Sequence, residues 1–199
     1  MYDDPSSPIA RRLKNVQGQI RAVLNNSAPG PIRIVSLCAG QGRDLMEVLA
    51  DHPRARDVRA RLVELDPRNS SSIQKQVDDL GLDQIEVVTG DASITDHFVE
   101  MSPANLVLLC GIFGNIVDED IKRAINVCWQ LCQTRGTVIW TRHRRAPDMV
   151  PEICKWFEQC DFERIWVSVS DPDFAVGAHR FSGRSQPLVL GEKIFDFLR

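Results

Sequence analysis

The chain has 199 residues, of which 43% are hydrophobic and 26% charged, and it carries a formal net charge of −3. These values suit one globular domain with a sizeable core, and the acidic balance argues against a large polyanionic partner. No apolar run reaches the roughly 18 residues of a membrane helix, and the polar start MYDDPSSPIA lacks the pattern of a signal peptide. We therefore expect a cytoplasmic protein whose six cysteines are reduced thiols, with no metal site.

A helix is predicted at the start of the chain, where apolar residues recur from Ile9 to Leu24 at helical spacing. The SAPGP stretch at 27–31 then ends it. We predict an N-terminal arm and helix at 1–30, able to act as a lid, and a second unit at 31–199.

Strand-like and helix-like segments alternate after this break. Apolar stretches that predict buried strands lie at 32–38, 58–66, 85–92, 104–113 and 136–144. Helical patterns follow them at 42–52, 70–82, 93–101, 118–133 and 149–160. Near the end, strand-like segments at 162–170, 173–183 and 192–199 follow one another without a helix. The order predicts an α/β fold: a doubly wound, mostly parallel seven-stranded sheet with an antiparallel C-terminal strand and helices on both faces.

The carboxyl ends of the strands are where such a sheet binds ligands. The first strand ends in CAGQGRD, where Gly40 and Gly42 allow a tight turn with no Cβ near a ligand; a plain strand–helix turn would use them too. The second ends in LVELDP, where Asp66 follows Gly42 by 24 residues. A carboxylate at about 20 residues from the glycines matches the two hydroxyls of a ribose, although Asp66 could instead cap a helix. Glu64 shares its strand face and is the lesser candidate.

The next two strand ends extend this pattern. VVTGDA ends the third strand, and Asp91 suits an exocyclic amine such as that of adenine. LVLLCGIFGNI ends the fourth, where an apolar strand opens into a loop at Gly111 and Gly114. Such a loop can line the pocket for the reactive end of a cofactor.

Taken in order, these strand ends resemble the Rossmann-like class I S-adenosylmethionine-dependent methyltransferases. FAVGAHRF also resembles that family's reversed last strand, and the resemblance covers roughly residues 32–183. It implies S-adenosyl-L-methionine as the cofactor, S-adenosyl-L-homocysteine as the product and methyl transfer (EC 2.1.1.-) as the activity. The cofactor-binding residues that it implies are Ser36, Cys38, Ala39, Gly40, Gly42, Arg43, Glu64, Asp66, Pro67, Gly90, Asp91, Ala92, Cys110 and Gly111.

The resemblance also implies roles for these positions. The glycines would lie beside the methionine part, Asp66 on the ribose, Asp91 with Ala92 at the adenine, and Cys110 with Gly111 near the sulfonium. Two positions depart from the usual turn, since Ser36 stands where the family has an acid and Cys38 where it has its first glycine. Asp44 or a backbone carbonyl could then hold the methionine amine. Arg43 could meet the methionine carboxylate through a charge-assisted hydrogen bond or face solvent.

Three side chains are candidates for catalysis at the acceptor. An unperturbed histidine titrates near pH 6.5 and suits general-base work; His143 lies near the carboxyl end of the fifth strand and His179 within a late strand. Tyr2 could reach the site if the arm folds over it. For the two histidines, the alternative is a surface or structural role.

A small-molecule hydroxyl or amine is the expected acceptor. The chain lacks an Asn/Asp-Pro-Pro-Tyr/Phe sequence after the fourth strand and has no appended RNA- or protein-binding domain. One alternative is a methyltransferase-like protein that binds the cofactor or a metabolite without transfer. Another is an RNA methyltransferase using the basic stretches 54–61 and 142–145, which we otherwise expect to be solvated surfaces. An NAD(P) oxidoreductase is disfavoured because Leu45 stands where its third glycine would be.

Overall fold

The computed structural model describes Asp4 and residues 7–198. Its strands, numbered in chain order, are β1 Ile32–Leu37, β2 Val58–Glu64, β3 Ile85–Thr89, β4 Ala104–Leu109, β5 Cys132–His143, β6 Phe162–Val167 and β7 Phe174–Phe181. They form one seven-stranded sheet in the order β3-β2-β1-β4-β5-β7-β6. β7 pairs antiparallel with both β5 and β6, whereas the other pairs are parallel. The predicted α/β fold with a reversed C-terminal strand is confirmed.

Helices cover both faces of this sheet. They are α1 Pro8–Asn26, α2 Arg43–Leu49, α3 Pro67–Leu80, α4 Asp118–Leu131 and α5 Val150–Gln159. The first three pack on one face and the last two on the other, so the core has two layers. A 3₁₀ turn at Thr95–Phe98 replaces the longer helix predicted at 93–101.

The side chains of β1 show why the strands are apolar almost throughout. Ile32 and Ile34 belong to the layer beneath α1, α2 and α3, whereas Val35 and Leu37 belong to the layer beneath α4 and α5. Successive side chains of a strand point to opposite faces, so a strand between two helical layers buries both sets.

α1 is packed onto the sheet. The side chain of Ser7 accepts the backbone N–H of Ala10 and caps the helix, and Ile20 and Leu24 are fully buried. The described part of the predicted arm therefore belongs to the folded body. A lid role for residues 1–30 stays a prediction, and Tyr2 lies outside the described residues.

The strand order reverses between β1 and β4. From β1 the chain builds outwards through β2 and β3, and β4 then returns to the other side of β1. The connections after β1 and β4 consequently leave in different directions and open a crevice at the carboxyl ends. The glycine-containing segments that follow β1 and β4, at 38–42 and 110–114, both lie at this crevice.

The end of the chain differs from the prediction. Residues 192–198 form no strand; a single bridge joins Lys193 to Ile94. The neighbouring side chains of Ile194 and Phe195 are both buried, which the alternation of a strand does not allow. Residues 184–198, the C-terminal segment, instead run back along α4 from its last turn to its first, towards the carboxyl ends of the strands.

Candidate functional site

Three adjoining pockets form a groove across the carboxyl ends of the parallel strands. The acidic pocket, about 530 Å³, is lined by Glu64, Asp66 and Asp91 together with the C-terminal segment. The central pocket, about 210 Å³, is lined mainly by residues 38–44 and 110–111. The basic pocket, about 230 Å³, lies beyond β4 at the end of β5. Cys38 lines the first two, and Arg12 with Gly111 lines the last two.

Glu64 is the carboxylate most firmly held in the acidic pocket. Its side chain accepts the backbone N–H of Gly40 at 2.8 Å and that of Asp66 at 3.0 Å. The residue is only 8% exposed. Because the last residue of β2 is thereby tied to the turn after β1, the orientation of its carboxylate is fixed by two separate elements.

Asp66 has a different local environment. Its side chain caps α3 by accepting the backbone N–H of Arg68 at 2.9 Å, with Pro67 in the first helical turn. It also pairs with the exposed guanidinium of Arg68 at 2.7 Å, and these bonds lower its pKa. The helix-cap role, the alternative considered for the sequence, is therefore present, although Asp66 still lines the acidic pocket.

Asp91 and Ala92, which the resemblance assigns to the adenine, also line the acidic pocket. Burial opposes ionisation of Asp91, but hydrogen bonding by Ser93 and the nearby charge of Lys193 outweigh it and lower its pKa. Gly90 serves packing instead, because a Cβ there would lie 2.8 Å from the ring of His97.

The turn after β1 exposes its backbone to the central pocket. Cys38, Gly40 and Gly42 all have positive φ, at +54°, +58° and +69°. A Cβ on Gly40 would meet no heavy atom within 4 Å, whereas one on Gly42 would lie 3.1 Å from the side chain of Ile73. Gly40, with Ala39 beside it, thus lines the pocket, and Gly42 permits α2 to approach α3 closely.

Asp44 is the acid of the central pocket. Burial raises its pKa, while the charge of Arg12 and a hydrogen bond from the Cys110 thiol act in the opposite direction. Cys110 is partly buried, and loss of hydration raises the pKa of its thiol well above the usual value. Asp44, in the first turn of α2, therefore lies in the central pocket. It is one of the two replacements considered for the acid that is missing at Ser36.

Ser36 and Arg43 are less well placed to contact a molecule in the groove. Ser36 is buried and lines none of the three pockets. Arg43 lines the central pocket but pairs with Glu47 at 2.7 Å. Arg12 on α1, which sequence analysis did not single out, lines the same pocket with its guanidinium 5.3 Å from the ring centre of Phe174.

His143 lies at the end of β5 and lines the basic pocket. Its ring packs against Gly114, where a Cβ would lie 3.2 Å from Cδ2. Its buried Nδ1 has no hydrogen-bond partner among the described residues. Burial lowers its pKa, and the charges of Arg142 and Arg145 lower it further, so the ring is neutral at pH 7.

His179 is a core residue, which corrects its prediction as a catalytic base. It is fully buried and accepts the indole N–H of Trp140 at 3.1 Å. Its ring stacks on Phe157 with centroids 4.6 Å apart. Burial lowers its pKa to about 3, and it lines none of the three pockets.

The C-terminal segment supplies pocket residues that sequence analysis missed. Lys193, Phe195, Asp196 and Phe197 line the acidic pocket opposite the ends of β2 and β3. Alternating aromatic and charged residues carry no motif, and only the return of the chain along α4 brings them there.

Membrane-spanning helices and metal-binding clusters are both absent from the described residues. No described helix has the length and apolar character needed to cross a membrane. Within the same residues, no cluster of three or more His, Cys, Asp or Glu side chains could hold a metal ion.

The chain is similar to known proteins in sequence family and in fold. Residues 7–154 match a family model described as "Putative methyltransferase", while no protein with a curated description matches the sequence. An O-methyltransferase family protein from Burkholderia thailandensis superposes with a TM-score of 0.66 at 16% identity, over 88% of this chain and 57% of that one. This chain thus spans little more than half of that relative.

Two other similar structures contain a bound cofactor or its product. One is the 1,6-didemethyltoxoflavin-N1-methyltransferase of Burkholderia thailandensis with S-adenosylhomocysteine, with a TM-score of 0.66, 13% identity and coverage of 86% of this chain and 78% of that chain. The other is magnesium protoporphyrin IX methyltransferase from Synechocystis PCC 6803 with bound SAM, with a TM-score of 0.67, 10% identity and coverage of 86% and 80%.

The fold is therefore that of the class I S-adenosylmethionine-dependent methyltransferases. The chain belongs to the methyltransferase family whose model spans residues 7–154. The predicted family and cofactor, S-adenosylmethionine, are confirmed.

Proposed function

We propose that this protein transfers a methyl group from S-adenosylmethionine to a hydroxyl or amine of a small-molecule acceptor. The observation that carries the proposal is the continuous groove over the ends of β3, β2, β1, β4 and β5. Its acidic end suits a nucleoside, its centre an amino acid, and its far end an acceptor.

The bare backbone at the centre of the groove fits the cofactor. Gly40 and Gly111 have φ of +58° and +80°, and a Cβ on either would project into open space. Both line the central pocket. Any other residue at these positions would be strained and would occupy the space that the methionine part needs.

Glu64 is the carboxylate that we assign to the ribose hydroxyls, ahead of Asp66. Two backbone N–H groups hold Glu64 in place, whereas Asp66 is engaged as a helix cap. A fixed carboxylate binds a diol without the entropy cost of ordering a mobile side chain. Asp91 and Ala92 are assigned to the adenine, with Phe197 beside them.

Asp44 is assigned to the methionine ammonium and Arg12 to the methionine carboxylate. Both line the central pocket, and their charges already interact across it. A bound ammonium would compensate the partly buried carboxylate of Asp44, whose ionisation burial opposes. Arg43 remains a second candidate for the carboxylate.

His143 is assigned as the base for the acceptor. When bound, the cofactor supplies a methyl group on a positively charged sulfur, and the acceptor loses a proton as its bond to that methyl forms. His143 lines the pocket next to Gly111, and its lowered pKa keeps it ready to accept that proton at neutral pH.

Binding of S-adenosylhomocysteine, measured by calorimetry, tests the cofactor part. We expect it to bind and to raise Tm, whereas NAD should do neither. Glu64→Gln should weaken binding at least tenfold, because it removes the charge from the assigned diol ligand. Glu86→Gln, an exposed glutamate of β3 outside the groove, is the matched control. Unchanged affinity in Glu64→Gln would overturn the ribose assignment, and absence of binding in folded protein would overturn the proposal.

The pH dependence of turnover tests the catalytic part, once acceptor screening by S-adenosylhomocysteine release has given an active substrate. Because the pKa of His143 is lowered, activity should persist below pH 6.5 and fall only as the pH passes through that lowered pKa. His143→Gln should reduce kcat and abolish this acidic limb without changing cofactor affinity. Cofactor binding without turnover on any acceptor would instead favour a binding protein.

A further inference from the structure

The basic pocket has an unusual balance of charge. Its lining includes Arg12, Arg142, His143 and Arg145, and no aspartate or glutamate of the described residues lines it. Guanidinium groups that share a pocket repel one another, and burial weakens the screening by water. The protein as a whole is acidic, so this local excess of positive charge is not a consequence of composition.

The three arginines of the RHRR run at 142–145 differ in their contacts. Arg144 is bound within the protein through both Nη atoms, since Nη1 pairs with Asp148 at 2.8 Å and Nη2 donates to the carbonyl of Ser168 at 2.6 Å, and only its buried Nε has no partner among the described residues. It does not line the basic pocket. Arg142 and Arg145, on either side of it, do.

Arg142 and Arg145 both line the pocket, and neither forms an ion pair with a carboxylate of the described residues. Arg142 is anchored by one Nη, which donates to the carbonyl of Phe113, but its buried Nε has no partner. Burial lowers the pKa of Arg142, and Asp118 and Asp148 offset this only as neighbouring charges. Arg145 is exposed and makes no ion pair with the described residues. A guanidinium with free N–H groups binds a planar oxyanion well.

The position of this pocket ties it to the acceptor. It shares Gly111 and Arg12 with the central pocket, so a molecule in it lies next to the assigned methionine part. Thr141 holds the dividing loop, accepting the N–H of Gly111 at 2.8 Å. The pocket is small, about 230 Å³, and suits a compact acceptor.

We propose that the methyl acceptor is an oxyanion, a compact carboxylate or phosphate compound, whose anionic group is bound by Arg142 and Arg145 in the basic pocket. The proposal rests on the proposed function, because it describes the acceptor of the same groove. It also adds a specificity that the hydroxyl or amine alone does not provide: a neutral analogue leaves the arginines unpaired and loses affinity.

Calorimetry on the protein saturated with S-adenosylhomocysteine tests this inference. The probes are benzoate and phenyl phosphate, with benzamide as the neutral analogue. We expect one anionic probe to bind at least tenfold more tightly than benzamide. Preference for benzoate would assign a carboxylate, and preference for phenyl phosphate would assign a phosphate. Equal affinity for all three, or no binding of either anion, would overturn the inference.

Variants locate the binding to the two arginines. Arg142→Gln and Arg145→Gln should each weaken the preferred anion about tenfold or more, since a charge-assisted hydrogen bond contributes about 1.5–3 kcal/mol. Arg142→Gln also loses the hydrogen bond to Phe113, which could disturb its folding. In that case Arg145→Gln, which makes no such contact, still tests the site. Arg59→Gln, an exposed arginine of β2 outside the basic pocket, removes the same charge and should leave affinity unchanged. Equal losses of anion affinity in all three variants would mean that only the net charge of the protein matters, and would overturn the assignment of the binding site.

Failure of this inference can be told from failure of the proposed function. S-adenosylhomocysteine is titrated first, and its affinity should be the same in wild type, Arg142→Gln and Arg145→Gln. If the cofactor product binds and the anions do not, only the oxyanion inference fails. If the cofactor product does not bind, the proposed function fails, and anion titration of the ligand-free protein then tests the pocket by itself.

Discussion

Cys38 occupies a backbone conformation that suits glycine. Its φ is +54°, in the left-handed region, where a residue with a Cβ costs roughly 1–2 kcal/mol. Its thiol is partly buried near Glu64 and Asp91, and burial with these two charges raises its pKa to about 12. The thiol therefore stays protonated, and strain is retained at the centre of the groove.

Replacement of Cys38 measures this strain. Cys38→Gly and Cys38→Ala both remove the thiol, but only glycine relieves the left-handed backbone. We expect Cys38→Gly to be more stable than Cys38→Ala by about 1 kcal/mol, which corresponds to roughly 2–4 °C in Tm for a chain of this size. Urea and thermal unfolding of the two variants provide the measurement. Equal stability would mean that the turn relaxes and stores no strain.

At the same scale, sequence reasoning identified the strand ends but not the division of roles. Glu64 and Asp66 lie two residues apart on one strand face, and either could serve a ribose. Their difference depends on two backbone N–H groups, those of Gly40 and Asp66, which point at Glu64. Hydrogen-bond partners from another element cannot be seen in the strand's own pattern.

Among the elements, α1 is held at its first turn by an ion pair with the β6–β7 connection. Arg11 pairs with Asp171 at 2.9 Å and with Asp173 at 2.7 Å. Asp171 is only 8% exposed and also accepts the backbone N–H of Asp173 and Phe174. This ion pair joins the first turn of α1, beside Arg12, to the β6–β7 connection.

Asp171→Asn should destabilise the protein by about 1–3 kcal/mol, because a buried hydrogen-bonded charge is lost. Burial opposes ionisation of Asp171, but the bonds from Arg11 and the two N–H groups outweigh it and lower its pKa. Its contribution is therefore present above the unfolded pKa, near 3.9, and is lost as the pH falls through the folded value. Urea unfolding at pH 7 and across the acidic range provides the measurement.

Asp173→Asn is the matched control, because Asp173 binds the same arginine with a side chain that is 47% exposed. Surface ion pairs contribute little, so its effect should be clearly smaller and should vary less with pH. Similar losses in the two variants would contradict the assignment of the anchoring role to Asp171.

Over the whole molecule, the C-terminal segment runs from the amino ends of the parallel strands to their carboxyl ends. β7 ends near the start of the parallel strands, and the segment returns along α4 to their carboxyl ends. Ile194 and Phe195 are buried in the core beneath α4, and Phe197 rests edge-on against Phe195 with centroids 5.3 Å apart. The last residues of the fold thereby complete a pocket begun by β2 and β3.

Phe197→Ala should weaken binding of S-adenosylhomocysteine several-fold with little loss of stability. Phe197 lines the acidic pocket while remaining 48% exposed, so its ring is available to cover a nucleoside. Leu198→Ala, next to it and outside the pocket, should change neither property. Calorimetry and thermal unfolding measure both variants, and identical affinities in Phe197→Ala and wild type would remove the segment from the cofactor site.

The sequence by itself determined the class of this protein, because alternating apolar strands and amphipathic helices allow few other folds, and glycines and acids at strand ends follow from local geometry. Only the tertiary structure decided which of these residues share a pocket. Arg12, Phe197 and Arg145 belong to elements far apart in the chain. His179 lies away from the groove because it pairs with Val138 in the middle of β5, whereas Phe174 pairs with His143 at the carboxyl end. Such placements depend on strand order and on the path of the last segment, which no local pattern records.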